Sequence, residues 1–309
     1  MIAEALARLE SEFATGNRSP AEQHLTLLEL ENALTPQEFS EVTSQIRDRF
    51  ANAHAVLDKL HLCGLLARQA PARFERKIIA PDVKLFHDPD VSRADKTLII
   101  GFCGKGHRLM LSTGTMLQLL PRGKCDLVVL KDPRRNHFVD GSRDYAPDFF
   151  QLITRLAKDL QFDRYKEILF YGASMGGFVA LRAGLLLGTR AVSIGGRFPW
   201  RIRRMLERKG ATTDAFELLC ACKDIGAARL ICVYATDYRP DAAAIDHLET
   251  ILPVTRWPIA GMKKHNIVLE LLEAGTLPQF YRSAFGFDPL PLRIRLQGIW
   301  PFNSQRPKK

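Results

Sequence analysis

The stretch from Ile168 to Gly184 constrains this chain more than any other. An apolar run, Ile168-Leu169-Phe170-Tyr171, enters Gly172-Ala173-Ser174-Met175-Gly176, and a helical pattern of small residues from Phe178 to Gly184 follows at once. A strand that runs into Gly-x-Ser-x-Gly and leaves as a helix has to turn very sharply at the serine. Ser174 is therefore expected in strained backbone, its hydroxyl lifted above the edge of a sheet. Side chains at positions 172 and 176 would collide with the neighbouring strand and helix, which is why glycine stands at both. The five-residue string alone is common; the strand before it and the helix after it give it weight.

The rest of the chain supplies a sheet for that turn to belong to. Strands are expected at Lys96–Phe102, Asp126–Leu130, Ile168–Tyr171, Ala191–Ile194, Leu230–Tyr234 and Val254–Trp257, with a hairpin or two short strands at Arg76–Phe86 around Pro81. Between them lie helical stretches, among them Leu109–Leu120, stopped by Pro121, and Pro147–Leu160. Strands alternating with helices of ten or so residues imply right-handed crossovers and an α/β fold, a mostly parallel central sheet with helices on both faces. The first 75 residues read differently. Apolar residues recur at helical spacing over Glu22–Ala33 and Pro36–Leu66, and Pro20 and Pro36 each follow a capping residue, Ser19 and Thr35. The expected organisation is a helical N-terminal extension (1–75), an α/β domain (76–290) with a lid at 196–228, and a tail (291–309). The extension packs on the main domain or serves as an arm for a partner.

A serine hydroxyl becomes nucleophilic near neutral pH only when an imidazole takes its proton and a carboxylate orients that imidazole. In a sheet of this kind the order along the chain is serine, acid, histidine. His265, in Gly261-Met262-Lys263-Lys264-His265-Asn266 after the last strand, is the candidate base, since the preceding histidine, His247, falls within a helix. Two candidates exist for the acid. Asp237 lies just beyond the Leu230–Tyr234 strand and is preferred, whereas Asp241 sits where the next helix begins and could instead be held there by the helix dipole. The negative oxygen of a tetrahedral intermediate needs preorganised N–H donors. Met175 N–H should supply one, and the Gly-rich loop Gly101–His107 the other, from Lys105 or its neighbour Gly104. That loop has the glycine spacing of a phosphate-binding loop, but His107-Arg108 stands where Lys-Ser/Thr would be needed, so a nucleotide is not expected.

Composition narrows the remaining choices. The chain has 309 residues, 46% hydrophobic and 25% charged, the balance of an ordinary globular protein. No apolar run approaches the roughly 20 residues of a membrane span. Met1–Phe13 carries Glu4, Glu10 and Glu12 and is not expected to be a secretory signal, so the expected location is cytoplasmic. The six cysteines form no C-x-x-C pair and read as reduced core residues; Cys220-Ala-Cys222 lacks a nearby His or Cys to complete a metal site. Neither a metal nor a cofactor is expected. The net charge of +10 comes partly from Arg197, Arg201, Arg203, Arg204, Arg208 and Lys209 and from the tail. Nucleic acid is disfavoured as a partner, because these clusters lack interleaved aromatics and a binding motif. A basic lid would instead attract an anionic substrate, with Arg197 and Trp200 as substrate-binding candidates.

From about Lys77 to Phe285 the chain resembles the α/β-hydrolase superfamily, on Gly172, Ser174, Gly176, Asp237 or Asp241, His265 and the Gly-rich loop. The resemblance implies an eight-strand, mostly parallel sheet and transfer or hydrolysis of an acyl group through an acyl-serine. The chain departs from the usual pattern at Phe102-Cys103-Gly104, where His-Gly is common, and in lacking Gly-x-x-Asp around the acid. The Gly-rich loop and the Tyr234–Asp241 stretch (Tyr-x-x-x-x-x-Pro-Asp) more loosely resemble hydrolase-like accessory proteins of bacterial surface-glycan biosynthesis. The expected function is a serine hydrolase, esterase or acyltransferase acting on an acyl ester or thioester, with a small-molecule, glycan or anionic substrate. The alternative is a non-catalytic module of this fold that binds a protein or polyanion through its arm or basic segment. Removing residues 1–72 is expected to spare hydrolysis of a small ester and to abolish arm-mediated binding.

Overall fold

The computed structural model describes residues 1–15, 18–196, 229–250 and 252–288. Eight strands, β1 (Glu75–Ala80), β2 (Val83–His87), β3 (Thr97–Phe102), β4 (Cys125–Leu130), β5 (Glu167–Ala173), β6 (Arg190–Ile194), β7 (Arg229–Ala235) and β8 (Thr255–Ile259), form one sheet. Their order is β1-β2-β4-β3-β5-β6-β7-β8. β2 pairs antiparallel with β1 and β4, and the other pairings are parallel. This is the α/β-hydrolase fold. Every residue of β3 and β4 is buried, as expected of parallel strands covered on both faces.

Helices fill the two faces. α6 (Thr113–Leu119) packs on one face with the two helices after the last strand, α10 (Ile267–Glu273) and α11 (Leu277–Ala284). On the other face lie α7 (Phe149–Leu160), α8 (Met175–Leu187) and α9 (Arg239–Glu249). The long apolar stripe of α7, Phe149, Leu152, Ile153, Leu156 and Leu160, is buried there at helical spacing.

The N-terminal residues form five helices: α1 (Ile2–Thr15), α2 (Pro20–Ala33), α3 (Pro36–Arg49) and the short α4 (His54–Leu57) and α5 (His61–Leu66). They enclose a core of their own, centred on Leu9, Leu27, Phe39, Val42, Ile46 and Leu57. Ser19 and Thr35 cap α2 and α3 as expected. Each closes a capping box with the glutamate three residues on, Glu22 or Glu38, and each cap contributes about 1 kcal/mol.

Several boundaries differ from the sequence expectation, three of them for evident local reasons. The helix after the Gly-rich loop begins at Thr113 rather than Leu109, because Met110 adopts a left-handed φ of 67° and Ser112 caps the helix through Thr115 N–H. The helical periodicity from Pro36 to Leu66 is interrupted where Phe50 extends (φ −132°, ψ 101°) and ends α3. The last strand continues through Pro258 to Ile259, since a proline missing its N–H is tolerated on an edge strand.

At the amino-terminal edge of the sheet, Lys96 and Asp126 form a fully buried ion pair (2.7 Å). The lysine also donates to Asp88 O (2.8 Å), and Asp126 accepts from Tyr165 Oη (2.9 Å). Apart from Gly196, the expected lid at 196–228 lies outside the described residues, as do Arg197, Trp200, Cys220, Cys222 and the tail 291–309.

Candidate active site

The sheet order creates the site. From β3 the chain passes to β4 on one side, then crosses to β5 on the other. The loops leaving β3 and β5 therefore diverge, and a crevice opens at the carboxyl ends of these two strands. Ser174 follows β5 and the Gly-rich loop follows β3, so both stand at that crevice.

Ser174 has φ 54° and ψ −112°, a conformation that only a rigid surround maintains in a residue other than glycine. Its N–H donates to Ile194 O of β6 (2.8 Å), tying the turn to the next strand. The two glycines that flank it are required sterically. A Cβ at Gly172 would fall on the backbone of Gly176, and one at Gly176 on the backbone of Phe102 in β3. The backbones of β5, α8 and β3 thus meet with no room for a methyl group.

His265 lies in the loop between β8 and α10, and its Nε2 is 2.9 Å from Ser174 Oγ. Its Nδ1 is 2.8 Å from Asp241 Oδ2. With the carboxylate accepting from Nδ1–H, the imidazole turns the lone pair of Nε2 toward the serine hydroxyl, which donates to it. Asp241 is completely buried, and the ring of Tyr238 lies 5.8 Å from that of His265.

The geometry brings Asp241, rather than the preferred Asp237, against the imidazole of His265. β7 continues to Ala235, one residue beyond the expected end, and α9 begins at Arg239. The short turn between them aims the exposed Asp237 outward, where it accepts from Thr236 Oγ1 (2.9 Å). It also brings the first turn of α9, with Asp241, over the sheet edge. The two readings of Asp241 are compatible: the carboxylate sits in the favourable field of the helix N-terminus and still reaches the histidine.

The donors expected at the oxyanion position separate into two groups. Met175 is the first residue of α8, so its N–H has no preceding turn to bond. In the Gly-rich loop, Cys103 N–H donates to Leu130 O (3.0 Å) and Gly104 N–H to Arg108 O (2.9 Å). Lys105 N–H has no acceptor among the described residues, whereas Gly104 N–H is already engaged. Gly104 itself abuts the serine: a Cβ there would lie 3.4 Å from Ser174 Cβ. The thiol of Cys103 offers no rival nucleophile, since burial pushes its pKa up to about 12.

Two residues near the site carried no signal in sequence. The buried His137, from the loop after β4, bonds through Nδ1 to Met175 O (3.1 Å). Asn266, beside His265, caps α10 and donates through Nδ2 to Met110 O (3.4 Å). Among the described residues no group of His, Cys, Asp and Glu is arranged to hold a metal, and no helix is long and apolar enough to cross a membrane.

No protein-family model matches the sequence, and no curated protein matches it. Solved structures similar to this one include a fluorophosphonate-binding serine hydrolase of Staphylococcus aureus (14% identity, TM-score 0.47, covering 70% of this chain and 98% of that one). An S-formylglutathione hydrolase from Staphylococcus aureus is also similar (14%, TM-score 0.44, 66% and 94%). A third is a dienelactone hydrolase from Anabaena variabilis (14%, TM-score 0.45, 69% and 98%).

Proposed function

We propose that this chain of α/β-hydrolase fold is a serine hydrolase that cleaves an acyl ester or thioester through an acyl-serine intermediate. The observation that carries the reading is the unbroken chain of contacts from Ser174 Oγ to His265 Nε2 (2.9 Å) and from His265 Nδ1 to Asp241 Oδ2 (2.8 Å).

Ser174 Oγ attacks the acyl carbonyl while His265 Nε2 takes its proton, and Asp241 stabilises the imidazolium that forms. The carbonyl oxygen, now negative, is bound by the N–H groups of Met175 and Lys105. Collapse of this intermediate breaks the bond to the leaving alcohol or thiol, which receives the proton from His265. A water molecule then attacks the acyl-serine, giving up a proton to His265, which passes it to Ser174 Oγ as the acyl–oxygen bond breaks and the acid leaves. An acceptor alcohol in place of water would make the same site an acyltransferase. The strained backbone of Ser174 supports this reading over that of a non-catalytic binding module, which has no use for a serine held at φ 54°.

The test is labelling of the full chain by a fluorophosphonate probe, with hydrolysis of a panel of short esters and thioesters. Ser174→Ala should abolish both signals and His265→Ala should strongly reduce them. A folded wild-type protein that neither labels nor hydrolyses any member of the panel would refute the proposal.

A further inference from the structure

The Gly-rich loop that offers Lys105 N–H is not held by the α/β domain alone. It and the residues that lead from it to α6 contain two non-glycine residues in left-handed backbone, His107 (φ 57°) and Met110 (φ 67°), a conformation that persists only where the surroundings fix it. The carbonyl of each accepts from an asparagine. Met110 O takes Asn266 Nδ2 (3.4 Å), from the residue next to His265. His107 O takes Asn32 Nδ2 (3.3 Å), from the last turn of α2 in the N-terminal helices.

Asn32 is itself held in place. Its Oδ1 accepts from Thr113 N–H (3.0 Å) and Thr113 Oγ1 (3.1 Å) at the start of α6. The neighbouring Glu31, buried, accepts from Ser112 Oγ (2.7 Å) and from Thr115 Oγ1. Arg76 of β1 donates to Ala33 O (2.7 Å) and to both carboxylate oxygens of Glu38. The C-terminal end of α2 is thus fixed against the α/β domain on both sides of Asn32.

We propose that Asn32 is a positioning residue for the oxyanion-binding loop, so that the N-terminal helices are part of the machinery rather than a detachable arm. This rests on the acyl-transfer reading above, in which Lys105 N–H stabilises the intermediate. By holding His107 O, Asn32 fixes the turn that carries Lys105, which Gly104 and Arg108 close from the other side (2.9 Å). These hydrogen bonds argue against the expectation that residues 1–72 can be removed with ester hydrolysis intact.

The test uses the full chain and separates the two ends of the Asn32 amide. Asn32→Asp keeps the acceptor facing Thr113 but sets an oxygen against His107 O, whereas Thr113→Val removes one bond at the other end and leaves the loop contact in place. With p-nitrophenyl acetate, Asn32→Asp should lower kcat about tenfold or more with KM within about twofold. The shape of its pH profile should not move, because the contacts of His265 with Ser174 and Asp241 are untouched. Thr113→Val should keep the wild-type kcat. Amide hydrogen exchange at Lys105–His107, measured well below the melting temperature of each variant, should quicken in Asn32→Asp alone. Wild-type kcat and exchange in Asn32→Asp, or an equal loss in Thr113→Val, would overturn the proposal. If the wild-type protein hydrolyses no ester, the acyl-transfer reading fails and exchange alone decides: faster exchange in Asn32→Asp upholds the anchoring, and unchanged exchange overturns it.

Discussion

Asp241 reaches His265 from within the first turn of α9, its Oδ2 2.8 Å from the imidazole Nδ1, while Asp237, four positions earlier, faces solvent. The carboxylate is therefore held by a helix rather than by a loop, which fixes the imidazole more rigidly than a turn residue would.

Exchanging each aspartate for asparagine separates the two. Asp241→Asn should leave the imidazole in the wrong tautomer and lower kcat by about 10⁴. Asp237→Asn, at an exposed site, should stay within about twofold of wild type. Equal losses in the two variants, measured as steady-state kcat on an ester that labels Ser174, would contradict the assignment.

Gly176→Ala sets a methyl group against the main chain of Phe102, and neither partner is a flexible side chain that can move aside. It should destabilise the fold by more than about 3 kcal/mol in urea unfolding. Gly106→Ala, where a Cβ meets nothing within 4 Å, serves as the control and should unfold at nearly the wild-type urea concentration.

Burial holds the thiols of Cys103 and Cys232 neutral, with pKa values pushed up to about 12, and raises that of Cys125 as well. At pH 8 these groups lie below their pKa, so the reactive thiolate is scarce. Iodoacetamide should leave all three unmodified in the native protein and alkylate them in urea, as peptide mass spectrometry would show.

Lys96→Met removes one partner of the buried pair and leaves Asp126 without its counter-charge. The expected cost is about 3–5 kcal/mol in denaturant unfolding. The pair sits at the amino-terminal edge of the sheet, so kcat per folded molecule should not change.

The alternation of strand and helix was legible because a two-sided parallel sheet leaves apolar runs such as Thr97–Phe102 and Cys125–Leu130 in the sequence. The turn at Ser174 was legible because close backbone approach can be met only by glycine, at 172 and 176. Which aspartate meets His265 was not, since the choice between Asp237 and Asp241 depends on β7 running one residue further, to Ala235, and boundaries that fine leave no periodic trace. The role of Asn32 was beyond reach for another reason. Its partner His107 stands 75 positions away, and an asparagine near a helix end reads as an ordinary polar residue until tertiary structure brings the two together.

The tight meeting of β5, α8 and β3 has a consequence for how such a protein can change over time. With no free volume beside Gly172 or Gly176, inherited substitutions cannot retune where the hydroxyl of Ser174 stands relative to the strands. Descendants that acquire a new preference have to acquire it in the loops above the crevice, which can lengthen, shorten or recolour their charge without disturbing that junction. The Ser174 hydroxyl stays put while its neighbourhood diversifies.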